Sequence, residues 1–399
     1  MYKINTLTTL ISLSFAASMS FTVLAEDFES LESRIDKLEK ATTVKLGGRL
    51  HLDFAAYDGA YNPGNGTGTD IYVRRGRVYF ASSHGDFSYK VILDYDDGET
   101  VLHGATVTYK GFGKDKKLNA GKLKEDISLQ GMTSSKWVTS IERAMIPDTF
   151  QVGFNYGVQY SHAMQNGLRY SVSLTKDQEL ADGNEADGSL QLATTGRLTY
   201  SNTDNNEVLH LGLSASHRNW GSNDFSIRQT GEVRKDQNRL ANFSSQVGAQ
   251  QIDASSAMLL VGEFGYQVGR VHLSAEYGQI DVSANQGPDE TFEGGYAQLG
   301  YFLSDNSRKY SKGSAKWDKP TNLNNQWEIF ARLSTFDMTT DTSGTKAEVI
   351  TIGANHYINE SVRMSYNYVF GDVSGPSQVA LTGSEDDGQA FVARLQYVF

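Results

Sequence analysis

Between Lys45 and Phe399 apolar side chains recur at every second position, and this two-residue period constrains the fold more than any other feature of the chain. Leu50, Leu52 and Phe54 alternate with Arg49, His51 and Asp53. Phe87, Tyr89, Val91 and Leu93 alternate with Ser88, Lys90, Ile92 and Asp94, and Leu209, Leu211 and Leu213 with His210, Gly212 and Ser214. Successive side chains of a strand point to opposite faces, so each stretch is a ribbon with one apolar and one polar side. Such a ribbon suits a soluble sandwich with one wet face, and equally a membrane barrel with a polar interior.

Three features favour the barrel. The stretches run to about ten residues, the length that crosses a bilayer when tilted. Aromatic residues gather at their ends, as in Tyr95, Tyr109, Tyr160, Tyr200, Tyr277 and Tyr301, where an interfacial girdle would lie. There are also sixteen of them, the first near 45–56 and the last near 388–399, too many for one sandwich. Mean hydropathy is −0.43, and no run of 18 apolar residues follows the N-terminal segment. A membrane location therefore requires a closed sheet in which every backbone group finds a partner. The 39 glycines, 5 prolines and absence of cysteine suit many strands and turns without disulfides or thiolate-held metals.

The predicted fold is all-β: a sixteen-stranded antiparallel transmembrane β-barrel over 43–399. Tight connections such as Asn166-Gly167 and Asn359-Glu360 alternate with long ones such as 218–256 and 372–387, as expected for short periplasmic turns and long external loops. Segment 124–150 is too long for a turn and is expected to fold into the lumen as a third, constricting loop. The N-terminus reads as a signal peptide, with Lys3, an apolar stretch and Val23-Leu24-Ala25 directing cleavage after Ala25, so 1–25 is assigned to export. In 26–42, Phe28, Leu31, Ile35 and Leu38 form a heptad seam flanked by charges, which predicts a short coiled-coil helix. The final strand alternates Phe391, Ala393, Leu395, Tyr397 and Phe399 with polar or smaller residues. It resembles the signal read by the insertion machinery of a Gram-negative outer membrane, whose lipid is the expected surrounding.

Several segments together resemble the phosphate-selective porin O/P family of trimeric, sixteen-stranded porins. They include Lys45-Leu46-Gly47-Gly48-Arg49, Tyr72-Val73-Arg74-Arg75, Ser134-Ser135-Lys136-Trp137-Val138-Thr139 with Glu142-Arg143, Ser307-Arg308-Lys309-Tyr310, and Ala393-Arg394-Leu395-Gln396-Tyr397-Val398-Phe399. The likeness spans nearly the whole chain beyond the signal segment. It implies a homotrimer with a water-filled channel for passive diffusion of small inorganic or organic anions, phosphate or polyphosphate being the candidates. Ser134, Ser135, Lys136 and Arg143 match the anion site of its third loop, Arg49, Arg74 and Arg75 its wall arginines near the constriction, and Arg228 and Arg234 its external funnel. Arg77 joins the wall cluster, and Arg74, Arg75 and Arg77 either set a transverse field across the pore, the favoured reading, or pair with acids such as Asp94, Asp96 and Asp97.

Two departures bear on the solute. Phosphate-selective members carry a lysine where this chain has Gly131, and Ser226-Ile227-Arg228-Gln229-Thr230 holds fewer arginines than the family funnel. The net charge of −11 also opposes an anion pore overall. Anion preference is therefore the reading. A weakly selective diffusion porin is the alternative within the same class, and an adhesin, structural barrel or barrel enzyme the alternative outside it. No nucleophile motif appears, the eight histidines show no metal-binding pair at helical spacing, and neither cofactor, metal nor nucleic acid is implied.

Overall fold

The computed structural model describes residues 43–399 apart from 97–98, 178–190, 205–206, 223, 235–237 and 250–251. The expected signal peptide and coiled coil lie outside the described residues. Sixteen long strands form the wall. They are β1 (Lys45–Gly59), β2 (Gly68–His84), β3 (Phe87–Asp96), β4 (Glu99–Tyr109), β5 (Lys116–Lys124), β6 (Phe154–Ala163), β7 (Leu168–Lys176) and β8 (Leu192–Asp204). The second half comprises β9 (Glu207–Asn219), β10 (Ile252–Val268), β11 (Val271–Ala284), β12 (Glu290–Phe302), β13 (Gln326–Asp337), β14 (Lys346–Tyr357), β15 (Val362–Ser374) and β16 (Asp387–Val398). Each pairs antiparallel with its neighbours in sequence, and β16 returns to β1 from Gly59↔Gly388 to Arg49↔Val398. That last ladder closes the sheet and removes both edges, the only arrangement that lets strands cross lipid.

Which side is polar separates the barrel from the sandwich. Leu213 is 61% exposed and Leu333 60%, whereas Arg197 and Arg218 are 2% and 0% exposed. Large apolar residues thus cover the outside and charged ones fill the inside, the reverse of a soluble sandwich. The alternation seen in the sequence is correct, and its apolar face is turned outwards.

The connections show one asymmetry not expected from their lengths. On the rim opposite the chain ends, 220–251 is a long loop carrying the short hairpin Ile227–Gln229 with Ala241–Phe243. Asp224 and Phe225 of the same loop extend the sheet beside Asp253 and Ile252 of β10. Trp220, Phe225, Val233, Leu240 and Phe243 of this loop pack with inward residues such as Phe292 and Phe336. On the rim of the chain ends, where only short turns were anticipated, residues 303–325 form a second long connection with a hairpin, Arg308–Ser311 with Lys316–Pro320. Its Trp317 donates to Ser274 of β11 at 2.8 Å, and Gln267 of β10 donates to the Arg308 carbonyl at 3.0 Å. Both contacts are with inward side chains of the wall.

Leu213→Arg, at the middle of β9 on the outer face, is expected to destabilise the lipid-inserted barrel by about 2–4 kcal/mol. Reversible denaturant unfolding from lipid reads this directly, and an unchanged midpoint would mean that the outer face is not the lipid face.

Candidate functional site

Residues 125–153 leave β5 and run across the barrel interior, touching side chains from strands all around the wall. Two short helices stand within them, α1 (Leu129–Met132) and α2 (Met145–Phe150). Irregular backbone at membrane depth must have its carbonyls and amides satisfied by protein. Wall side chains do this nearly residue by residue. Arg363 donates to the Val138 carbonyl at 3.1 Å, Asn355 to Thr139 at 2.8 Å, Arg394 to Ile141 at 2.8 Å and Arg332 to Glu142 at 3.1 Å. Arg308 of the 303–325 connection donates to the Trp137 carbonyl and, at 2.7 Å, to the Thr139 hydroxyl. The start of α1 is held by Glu276 of β11, which accepts from the Leu129 and Gln130 amides at 2.9 and 2.7 Å.

The start of the segment is held against β7–β9 by its own buried acids. Glu125 accepts from Thr195 and Arg218 at 2.6 and 2.8 Å, and Asp126 from Arg197 at 2.7 Å and from Arg169. Arg197 also forks onto Glu263 at 2.9 and 2.6 Å. Burial by itself would raise the Asp126 carboxyl, but Arg169 and Arg197 outweigh it and bring it down to about 2. The lumen beside β7–β10 is therefore filled with paired charges. Open space remains on the opposite side, against β1–β6.

That space is a cavity of about 220 Å³ with eighteen lining residues, of which eight are arginine or lysine and none is aspartate or glutamate. Arg49, Arg75, Arg77 and Lys90 come from β1–β3, Lys124 from the end of β5, Lys136 and Arg143 from the 125–153 segment, and Lys316 from the 303–325 hairpin. Two β-bulges aim part of this set. The β1–β2 register passes from His51↔Arg75 to Leu52↔Val73, leaving Arg74 as the extra residue. Adjacent strand residues normally point to opposite faces, and the bulge lets Arg74 and Arg75 both face inwards. A second bulge, between Ile92↔Gly104 and Leu93↔Leu102, puts His103 into the cavity wall.

The cations differ in how far they are committed. Arg77 pairs with Asp94 behind the cavity surface, and Arg75 Nε lies 3.9 Å from the same carboxylate. Asp94 is thus the partner expected of the wall cluster. Arg74 instead holds Glu142 through two bonds of 2.8 and 3.0 Å, beside the cavity and outside its lining. Arg143 donates to the carbonyls of Gln130 and Thr133 at 3.0 and 2.7 Å, so two of its nitrogens hold the loop. Lys124 bonds the Gly131 carbonyl and, at 2.8 Å, the Gln151 amide oxygen; both acceptors are neutral, and its charge is not cancelled there. Arg49 donates to Ser134 Oγ at 3.2 Å, while Arg49 Nε and Ser135 Oγ are buried with no protein partner. Such unpaired donors beside uncancelled cations form a setting for an anion, since charge-assisted bonds to its oxygens replace hydration.

Of the anticipated residues, Arg49, Arg75, Arg77, Ser134, Ser135, Lys136 and Arg143 meet around this cavity. Arg228 stands apart, exposed and 3.4 Å from Gln246, and Arg234 lies in the same 220–251 loop, close enough to help hold the Glu142 carboxyl down. Lys90, Lys124 and Lys316 were missed. Lys90 was visible as an inward position of its ribbon. Lys124 and Lys316 sit at a strand end and in a hairpin, where no periodicity shows direction.

Residues 44–399 match the family described as phosphate-selective porin O and P. The chain is 30% identical over 410 residues to Porin O of Pseudomonas aeruginosa, covering 91% of each. Among solved structures it resembles an anion-selective porin from Comamonas acidovorans (TM-score 0.56, 12% identity, 90% of this chain and 99% of that one). It also resembles the trimer form of OmpT from Vibrio cholerae (TM-score 0.55, 12% identity, 90% and 99%). At these identities the two structures speak for the fold alone.

Arg74 and Arg394 hold Glu142 from two strands, and removing one partner leaves a desolvated carboxylate underpaired. Arg74→Met should therefore lower barrel stability by about 3 kcal/mol, toward the lower end for a broken buried pair. Denaturant titration measures this, with Arg228→Met as the comparison that leaves the midpoint in place.

Proposed function

The chain belongs to the phosphate-selective porin O and P family of outer-membrane channels, and we propose that the cavity between β1–β6 and the 125–153 segment is the neck of its anion path, with phosphate as a solute. The protein is an outer-membrane, anion-selective porin of a Gram-negative bacterium. One observation carries the placement of the selective step: eight cations and no carboxylate line a single cavity in a chain whose net charge is −11. The lumen acids lie outside this lining: Glu125, Asp126 and Glu263 on the arginines of β7–β9, Glu142 on Arg74 and Arg394, and Asp94 behind the cavity surface. At an effective dielectric near 20, two unit charges 4 Å apart interact by about 4 kcal/mol, before screening by salt. A few uncancelled cations are enough to reject small cations.

On this reading Ser134, Ser135, Lys136, Arg49, Arg75 and Arg77 contact the anion, Arg143 and Arg74 hold the loop that carries them, and Arg228 and Arg234 belong to the outer approach. Lys124 takes up part of the role lost with the family lysine at Gly131, since its ammonium group rests on the Gly131 carbonyl. We further assign 1–25 to a signal peptide cleaved after Ala25, 26–42 to a short coiled coil, and the strand ending in Phe399 to recognition by the insertion machinery. A homotrimer is the expected assembly, in keeping with the trimer form of the fold relative OmpT.

Zero-current potentials in chloride and in phosphate, with single-channel block of chloride current by phosphate, test this account. Lys136→Ala and Lys124→Met are each expected to weaken phosphate block about tenfold, roughly 1.4 kcal/mol. Gly131→Lys should strengthen block, although its Cβ would stand 3.0 Å from the Ser128 side chain, which must yield slightly. A cation-selective reversal potential in the unmodified protein would overturn the reading.

The neck should also respond to pH. Burial lowers Lys136, and Arg49 and Lys90 lower it further; burial lowers Lys316, with Asp318 opposing. Both therefore lose their protons below the ~10.4 of free lysine. Anion preference falls as pH rises toward that value and recovers at neutral pH. Replacing both lysines by arginine should flatten the curve, and a decline as steep as before would show that other groups titrate.

A further inference from the structure

Most inward positions of β7–β9 are polar, among them Arg169, Ser171, Ser173, Thr195, Arg197 and Ser214, and all of these are buried. Higher in the lumen, inward apolar residues such as Ile280, Val282, Phe292 and Phe336 are also buried, within the cluster that includes the 220–251 loop. The neck differs from both regions. Ile92 of β3 and Phe154 of β6 line its cavity together with Tyr79 and Met132, and each remains only half-buried. Part of their apolar surface faces the same space as the cations and, among the described residues, is left uncovered there.

The aromatic position is built rather than incidental. A Cβ at Gly104 of β4 would stand 2.9 Å from Phe154 Cδ1 and 3.5 Å from Ile92 Cδ1, so the ring lies over the strand only because residue 104 has no side chain. His103, turned inwards by the bulge, packs on the same ring at 4.3 Å between centroids. The Tyr79 face is already occupied by Lys90 Nζ, 4.4 Å from its centroid. Ile92, Phe154 and Met132 are therefore the apolar surfaces available to a solute.

We propose that the neck accepts organic phosphate monoesters bearing an aromatic or compact aliphatic group, the phosphate meeting the cations and the substituent meeting Ile92 and Phe154. This deepens the reading of the cavity as an anion site and rests on it. A bare phosphate leaves this wall wet. A substituent that covers it removes apolar area from water on both partners, and that favours the ester over the inorganic ion.

The test compares phenyl phosphate, methyl phosphate and inorganic phosphate as blockers of chloride current through the unmodified channel, then through Ile92→Thr and Phe154→Ser. Phenyl phosphate is expected to block at about one-tenth the concentration of methyl phosphate, and the ratio should fall toward one in both variants. Because a ratio is read on channels that conduct, misfolding of a variant does not mimic the result. Equal block by the two esters, while inorganic phosphate still blocks, overturns this proposal alone. A ratio that persists in both variants overturns it too, by placing the ring elsewhere. Failure of all three phosphates to block overturns the anion-site reading itself.

Discussion

The interaction on which the interior depends is the bonding of wall arginines to the backbone of residues 125–153. A loop crossing a barrel brings peptide groups that have no ladder to join, and leaving several of them unpaired would cost more than the loop could return. Carbonyls 137, 138, 139, 141 and 142 each receive a donor from Arg308, Arg363, Asn355, Arg394 or Arg332. Arginine suits this task because its charge is permanent and its donors form a rigid fork. Four of these residues bond acids as well, Arg394 with Asp53, Arg332 with Glu232, and Arg308 and Asn355 with Glu328, so the loop, the strands and the 303–325 connection form one network.

That network also explains how an acidic protein offers a basic neck. Charges in the lumen are divided by position. Beside β7–β10, carboxylates and arginines meet at close range and cancel, filling space. Beside β1–β6, the carboxylates are fewer and set back from the surface, and Asp94 is shared by Arg75 and Arg77 while Asp53 is held by Arg394. Net charge describes solubility and long-range steering, and the field within a narrow lumen is set by which side chains are left uncancelled there.

Much was legible from the amino-acid order. All sixteen strands appear within a few residues of the places marked by alternation, and most residues singled out by the family likeness line one cavity. Bulges were not legible, since an extra residue in a strand looks like a lapse in alternation: strict alternation cannot turn both Arg74 and Arg75 inwards, and the register slip does so. Ile92 was a visible exception among Ser88, Lys90 and Asp94, but only the surrounding walls show that it remains uncovered. The 303–325 hairpin was hidden because its inward course depends on bonds to Gln267, Ser274 and Trp137, each distant in sequence.

By itself the sequence determined the strands, their number, the polarity of each face and the family, because a period of two is a local property that every strand carries within it. Only the tertiary structure decided where the lumen stays open, which arginines hold backbone and which line the cavity, and that Lys124 and Lys316 join that lining. Those outcomes depend on pairings between residues scores of positions apart, whose distances exist only once the sheet has closed. The reading that began with alternation therefore ends with the cavity: the period of two built the wall, and the uncancelled charges inside it make the channel.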